Sequence, residues 1–249
     1  MWIPHVDDPA DVRTALAAVE QDDEPHTVSG VDGVEVPGPA LADLLVEWGG
    51  TTSAVAASLP VPGDVGGVPA TVSAHAVDAG EAVLVDGPMG PHCLVPEIVE
   101  FGSVHEIGHM VTWQVHASPP WALGLVGALG SVNDAEGELR SALLTATEAL
   151  DSLDVARWRP DAAEVISSLR SPVDPGWRLP TGMDQRRARV IALAARLRTI
   201  IGLTAGDSGG AVNQWQADQR AAALHHIDDA ARRAMAAATL VMVGHSTER

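Results

Sequence analysis

Apolar positions near the amino terminus recur at three- and four-residue spacing, with Val12, Leu16 and Val19 on one stripe. Asp8 stands where a cap belongs and Pro9 and Asp11 fall in the first turn, so a helix is expected up to the polar run Gln21-Asp22-Asp23-Glu24-Pro25. Leu41, Leu44, Leu45 and Trp48 predict a second short helix, begun near Pro39 and stopped by Gly49-Gly50. Prolines and glycines over residues 60–69 read as loop. The period then falls to two. Ala70, Val72, Ala74 and Ala76 alternate with Thr71, Ser73 and His75, which predicts a strand, and Asp78-Ala79-Gly80 a hairpin turn. Residues 81–86, 93–101 and 110–116 continue as strands, which makes a four-stranded antiparallel meander over about 68–117. Pro96 has no N–H to give a ladder, so it requires a bulge or an edge.

Beyond Pro119-Pro120 the period returns to that of helices. Asn133 or Asp134 is the expected cap of a helix whose seam is Leu139, Leu143, Ala146, Leu150 and Leu153. Further helices are expected at 160–169, at about 184–203 and at 214–243. In the helix over 184–203, Val190, Leu193, Leu197 and Ile200 share a face, and five arginines lie largely elsewhere. The fold class is therefore α+β. Residues 1–130 form an acidic part with the antiparallel meander and short helices, and residues 131–249 an antiparallel helical bundle.

Charge divides the chain at nearly the same point. Residues 1–136 hold 1 Arg against 20 Asp and Glu, net −19, whereas residues 137–249 hold 14 Arg against 13, net +1. Such an acidic first half repels phosphate and argues against a nucleic-acid partner. The longest apolar run that bears on a membrane, 239–244, is far short of the ~20 residues a spanning helix needs, so no membrane partner is expected. No signal-peptide pattern opens the chain, and Cys93, its only cysteine, cannot form an internal disulfide. Both point to the cytoplasm. All basic residues are arginine, and those of the 184–203 helix are expected to meet this protein's own acidic half, within one molecule or between two.

Two motifs carry candidate chemistry. His105-Glu106-Ile107-Gly108-His109 fits HExxH, in which two histidines one helical turn apart ligate zinc and the glutamate activates the bound water. In this it resembles the zincin metallopeptidases, with His105 and His109 implied as ligands and Glu106 as base. The extended pattern wants Gly at Thr112 and His at Val115, so the third ligand would be His116, Glu136 or Glu138. Neighbouring Gly102, Ser103 and Gly108, with a strand following, predict a hairpin loop instead of a helix. A helix over 103–112 would favour the zinc hydrolase, and a hairpin would defeat it. His75, His92, Cys93, His109 and His116 all fall within the expected sheet, where soft ligands can assemble across strands.

Gly206-Asp207-Ser208-Gly209-Gly210 resembles the nucleophile segment of trypsin-like serine proteases, and Ser73-Ala74-His75 the segment around their histidine. That fold is two β-barrels, whereas this segment lies among helices, where Gly206 as a helix stop and Asn213 as the next cap account for it. The arginine-only, alanine-rich style, with Leu153-Asp154-Val155-Ala156-Arg157-Trp158-Arg159-Pro160 and Gly209-Gly210-Ala211-Val212, resembles uncharacterised proteins of actinobacteria. It implies no activity. By elimination, the expected function is a non-enzymatic interaction or regulatory protein without a cofactor, acting through a protein partner or self-association. The alternative is a zinc-dependent hydrolase using the HEIGH segment.

Overall fold

The computed structural model describes residues 9–21, 23–103, 106–152, 183–205 and 214–242. These form two compact units: residues 9–128 with 239–242, and residues 129–152 with 183–205 and 214–238. The expected helix over 160–169 and the Gly206–Gly210 segment lie outside the described residues.

The first unit is built on a six-stranded mixed sheet in the order β1-β5-β4-β3-β2-β6. Helix α1 spans Pro9–Glu20, β1 Thr27–Gly30, α2 Leu41–Gly49, β2 Ala54–Ser58, α3 Ser73–Ala79, β3 Ala82–Gly87, β4 Gly90–Ser103, β5 Glu106–Ala117 and α4 Ala122–Leu129; β6, Val241–Met242, comes at the end of the chain. β2, β3, β4 and β5 pair antiparallel in succession, β6 adds antiparallel to β2, and β1 runs parallel to β5. The expected four-stranded antiparallel meander is thus corrected. Its last three strands are present, but the first is a helix and three further strands complete the sheet.

Residues 73–79 depart from the expected strand because alternation in alanine is weak evidence. Val72 and Ala76, on one face in the period-two reading, are four residues apart and so also one helical turn apart, and both are buried. Alanine is the best helix former, so local propensity sides with the helix. Gly80 ends α3 in a left-handed conformation at φ +74°, its N–H donating to the Ala76 and Val77 carbonyls. β2 escaped the sequence reading for the converse reason: Ala54, Val55, Ala56 and Ser58 are all buried, so it is covered on both faces and shows no alternation.

One sheet face packs against α1 and α2. Leu41, Leu44, Leu45 and Trp48, none with exposed surface, meet Val55, Val83, Val85, Leu94, Val111, Trp113 and Val115. Each large side chain fully buried here stabilises the fold by about 1.5–3 kcal/mol. The other face carries Ala56, Leu84, Cys93 and Val95, with α3 beside β4. Buried Trp121, just ahead of α4, donates its indole N–H to the Val85 carbonyl at 3.4 Å.

In the second unit α5 covers Val132–Ser152, α6 Gln185–Ala205 and α7 Gln214–Thr239. The helix expected to reach residue 243 stops at Thr239, and the next residues form β6. α5 begins at a capping box one turn earlier than the expected Asn133 or Asp134: Ser131 Oγ accepts the Asp134 N–H at 3.2 Å, and the Asp134 carboxylate accepts the Ser131 N–H at 3.0 Å. Asp184 caps α6, accepting the Arg186 and Arg187 N–H groups. Buried Val190, Ile191, Ala194 and Leu197 form the packed face of α6, and the many small buried residues of α7, such as Ala231, Ala234 and Ala238, allow close helix approach. Much of the arginine is used inside this unit. Arg186 pairs with Glu136, Arg198 and buried Arg232 with Asp228, and Arg233 with Glu138, while Arg187 donates to the Ala238 carbonyl in the last turn of α7.

Candidate functional site

β4 and β5 outrun the rest of the sheet. β3 is in register with β4 only up to Val83↔Leu94, and β1 with β5 only from Thr27↔Thr112, yet β4 and β5 pair out to Ser103↔Glu106. From Val95 to Ser103 and from Glu106 to Val111 they form a two-stranded arm, and among the described residues no third strand flanks either edge. Pro96 sits just past the end of β3, the edge position its missing N–H requires.

The register assigns the faces, since side chains alternate along each strand. Val99 lies opposite Met110 and Phe101 opposite Gly108, on the same face as Glu97 and Glu106. The Phe101 ring covers Gly108, where an added Cβ would come within 2.6 Å of it. Ile98, Glu100, Ile107 and His109 belong to the other face, which nearer the sheet supplies Val111 and Trp113 to the core. Five large apolar side chains on the arm are exposed: Ile98 by 52%, Val99 by 47%, Phe101 by 42%, Ile107 by 56% and Met110 by 49%. A two-stranded ribbon is marginal in water by itself, and the contact of Phe101 with Gly108 leaves these side chains about half exposed.

The arm is held at its base. His109 Nδ1 lies 3.1 Å from the Asp23 carboxylate, and Gln114 donates to Glu97 at 2.7 Å. Trp113 donates its indole N–H to Nδ1 of buried His26 at 3.2 Å, while the His26 N–H on the main chain goes to Glu20. Since Nδ1 accepts, neutral His26 carries its proton on Nε2, which is buried without a partner among the described residues. Burial holds its pKa below the ordinary value, against the opposing pull of Glu20 and Asp23.

Glu106 and His109 lie on this strand, in place of the helix that the HExxH chemistry requires. Three residues apart in β structure, they belong to opposite faces of the ribbon, so Glu106 cannot act on water held by His109. His105 is outside the described residues. Of the suggested third ligands, His116 is seven strand residues from His109, roughly 23 Å along β5. Glu136 is engaged by Arg140 and Arg186, and Glu138 by Arg233. Of the other expected soft ligands, His75, Cys93 and His116 are neighbours and His92 lies apart. His75 is on α3, not on a strand, and stacks on His116 at a centroid distance of 5.7 Å, with Cys93 opposite His116 across the β4–β5 pair. His92, on the other face, lies against Trp48 and donates to the Gly90 carbonyl. Burial pushes the Cys93 thiol up to about 12 and lowers His116, whose nearness to His75 adds to the effect. Among the described residues no group of three or more His, Cys, Asp or Glu is placed to hold a metal ion, and no helix is long and apolar enough to cross a membrane.

An α+β architecture in two units, with a mixed sheet whose central hairpin extends as an apolar arm, is the class that fold and surface define. A model described as Rv1486c-like protein, N-terminal domain, matches residues 3–126, and one described as Rv1486c-like protein, C-terminal domain, matches residues 133–236; the chain belongs to this Rv1486c-like family. No curated protein and no solved structure matches it.

Proposed function

We propose that this chain is a non-enzymatic interaction or regulatory protein whose contact element is the β4–β5 arm. The observation that supports the reading is the arm itself: five exposed large apolar side chains on a ribbon that, among the described residues, no third strand flanks. An exposed edge with apolar side chains is what strand addition by a partner uses, with main-chain hydrogen bonds for affinity and alternate side chains for selectivity. Each of these side chains, half exposed at present, has about 1 kcal/mol of transfer free energy still to gain on burial. The placement of Glu106 and His109 on opposite faces of a strand removes support from the zinc-hydrolase alternative.

Site-specific photo-crosslinking tests the reading. A crosslinking side chain at Met110, introduced in the full chain within its native cells, should give a discrete adduct of defined mass. The same group at Leu123, an exposed apolar position on α4 (81%), should not. Equal, diffuse labelling from both positions, or none from Met110, would count against an arm-borne contact.

A further inference from the structure

The arm's chemistry limits what can cover it. Its apolar residues are interleaved with Glu97, Glu100 and Glu106, and no Lys or Arg occurs anywhere from Thr14 to Leu139. Two arms pressed together would set these carboxylates against one another within a strongly acidic unit, which disfavours a second copy joined arm to arm. The second unit of another copy is a poor complement too, since most of its described arginines already serve its own carboxylates and helix ends. Charge complementarity therefore selects a different protein whose contact segment alternates basic and apolar residues.

We infer that the arm is a docking strand for a basic, apolar segment of another protein, added along the edge of β4 or β5 that no described strand flanks, with its apolar side chains on the face of Val99, Phe101 and Met110 and its cationic side chains on the opposite face, against Glu100. The inference rests on the reading of the arm as a contact element and adds the class of partner. Glu97 is already engaged by Gln114 and shares its face with Glu106 and the apolar group, which leaves Glu100 as the principal carboxylate of the other face. Alternation matters because a strand laid against β4 or β5 presents its side chains to the two arm faces in turn. Apolar residues then fall on the face of Val99, Phe101 and Met110, and cationic residues on the opposite face, which carries Glu100.

The test uses the full chain and three labelled synthetic peptides of about ten residues, long enough to run the length of the arm. One alternates Arg and Val, one Arg and Ser, and one Glu and Val. Affinities are measured by fluorescence anisotropy at about 50 and about 300 mM salt, where surface charge is weakly and strongly screened. The Arg/Val peptide is expected to bind at least about tenfold more tightly than either of the others. A Val99→Ser, Phe101→Ser, Met110→Ser variant should weaken it by about tenfold or more, and separately Glu100→Gln by about threefold, the latter loss shrinking at the higher salt. Val46→Ser with Leu144→Ser, and Glu35→Gln with Glu47→Gln, remove exposed apolar and acidic groups elsewhere and should leave it unchanged. Circular dichroism and thermal melting of each variant establish that it is folded.

Equal binding of the Arg/Ser peptide, or binding indifferent to the arm substitutions, would reduce the effect to general attraction for an acidic protein and overturn the inference. So would sedimentation showing a dimer that the arm substitutions dissolve, since the occupant would then be a second copy. If the peptides fail while Met110 still crosslinks to one partner, the arm remains a contact element and only the basic class is wrong. If both fail, the contact reading falls with it.

Discussion

At the residue scale, burial decides the chemistry of the groups that looked most reactive. Cys93 is fully buried between the sheet and its helices, and its thiol is pushed up to about 12, so almost no thiolate exists near neutrality. In the folded chain at about pH 8 it should resist a maleimide or disulfide reagent, and it should react at once in guanidinium. Rapid labelling under native conditions would contradict the packing described for β4. His26 and His116 are both held neutral by burial, their folded pKa values below 6.5. The unfolded chain therefore binds protons that the folded chain refuses. Their contribution to stability is full above 6.5 and declines as pH falls through that value. Urea unfolding should show lower stability at about pH 5.5 than at about pH 7.5, and His26→Gln should flatten the difference in part. An unchanged slope would mean that His26 protonates without cost.

At the element scale, helix starts prove more consequential than helix interiors. Ser131, Asn133 and Asp134 are all good capping residues within one turn of each other, so residue type alone does not fix the start of α5. The structure chooses Ser131 because Asp134, three residues on, closes the capping box, and the paired hydrogen bonds hold the Asp134 carboxyl below its usual range. Ser131→Ala should cost about 1 kcal/mol of stability, seen as a lower denaturation midpoint at unchanged slope. Asn133→Ala should cost far less. The arm shows the same dependence on local pairing. Gly108 reads in isolation as a helix breaker or a turn residue, and its role becomes visible only across the strand pair, where Phe101 lies over it.

At the scale of the whole molecule, charge is the dominant physical fact. The chain carries a net charge of −18 at pH 7, concentrated before Arg140, and self-repulsion of that size opposes compaction. Raising salt from about 10 to about 300 mM shortens the Debye length from about 30 Å to well under 10 Å. Thermal unfolding near neutral pH should therefore shift upward with salt before any general salting-out effect. A downward shift would mean that attractive ion pairs, such as Arg186–Glu136 and Arg198–Asp228, outweigh the repulsion.

By itself the sequence determined the large apolar periods and their consequences. α1, α2 and the start of α6 are legible from the three-four spacing of bulky residues, and the strands from Ala82 to Ala117 from alternation in Val, Leu and Trp, because large side chains have one energetically acceptable side to face. Glycine before and within the HEIGH segment disfavoured a helix, and the described part of it is indeed not helical, but the expected hairpin loop is strand from Glu106 onward. Where the side chains are small the period loses its meaning. The spacing of Ala74 and Ala76 does not separate helix from strand, and Ala54–Ser58 shows no alternation once both faces are covered. Only tertiary structure decided those two cases. It alone could set the parallel docking of β1 on β5 and bring Val241–Met242 to β2, because long-range pairing is fixed by which edges remain open after the local elements form. The arm belongs to the same class: exposure of Val99, Phe101 and Met110 follows from β3 and β1 ending short of β4 and β5, a difference in strand length that no single segment encodes.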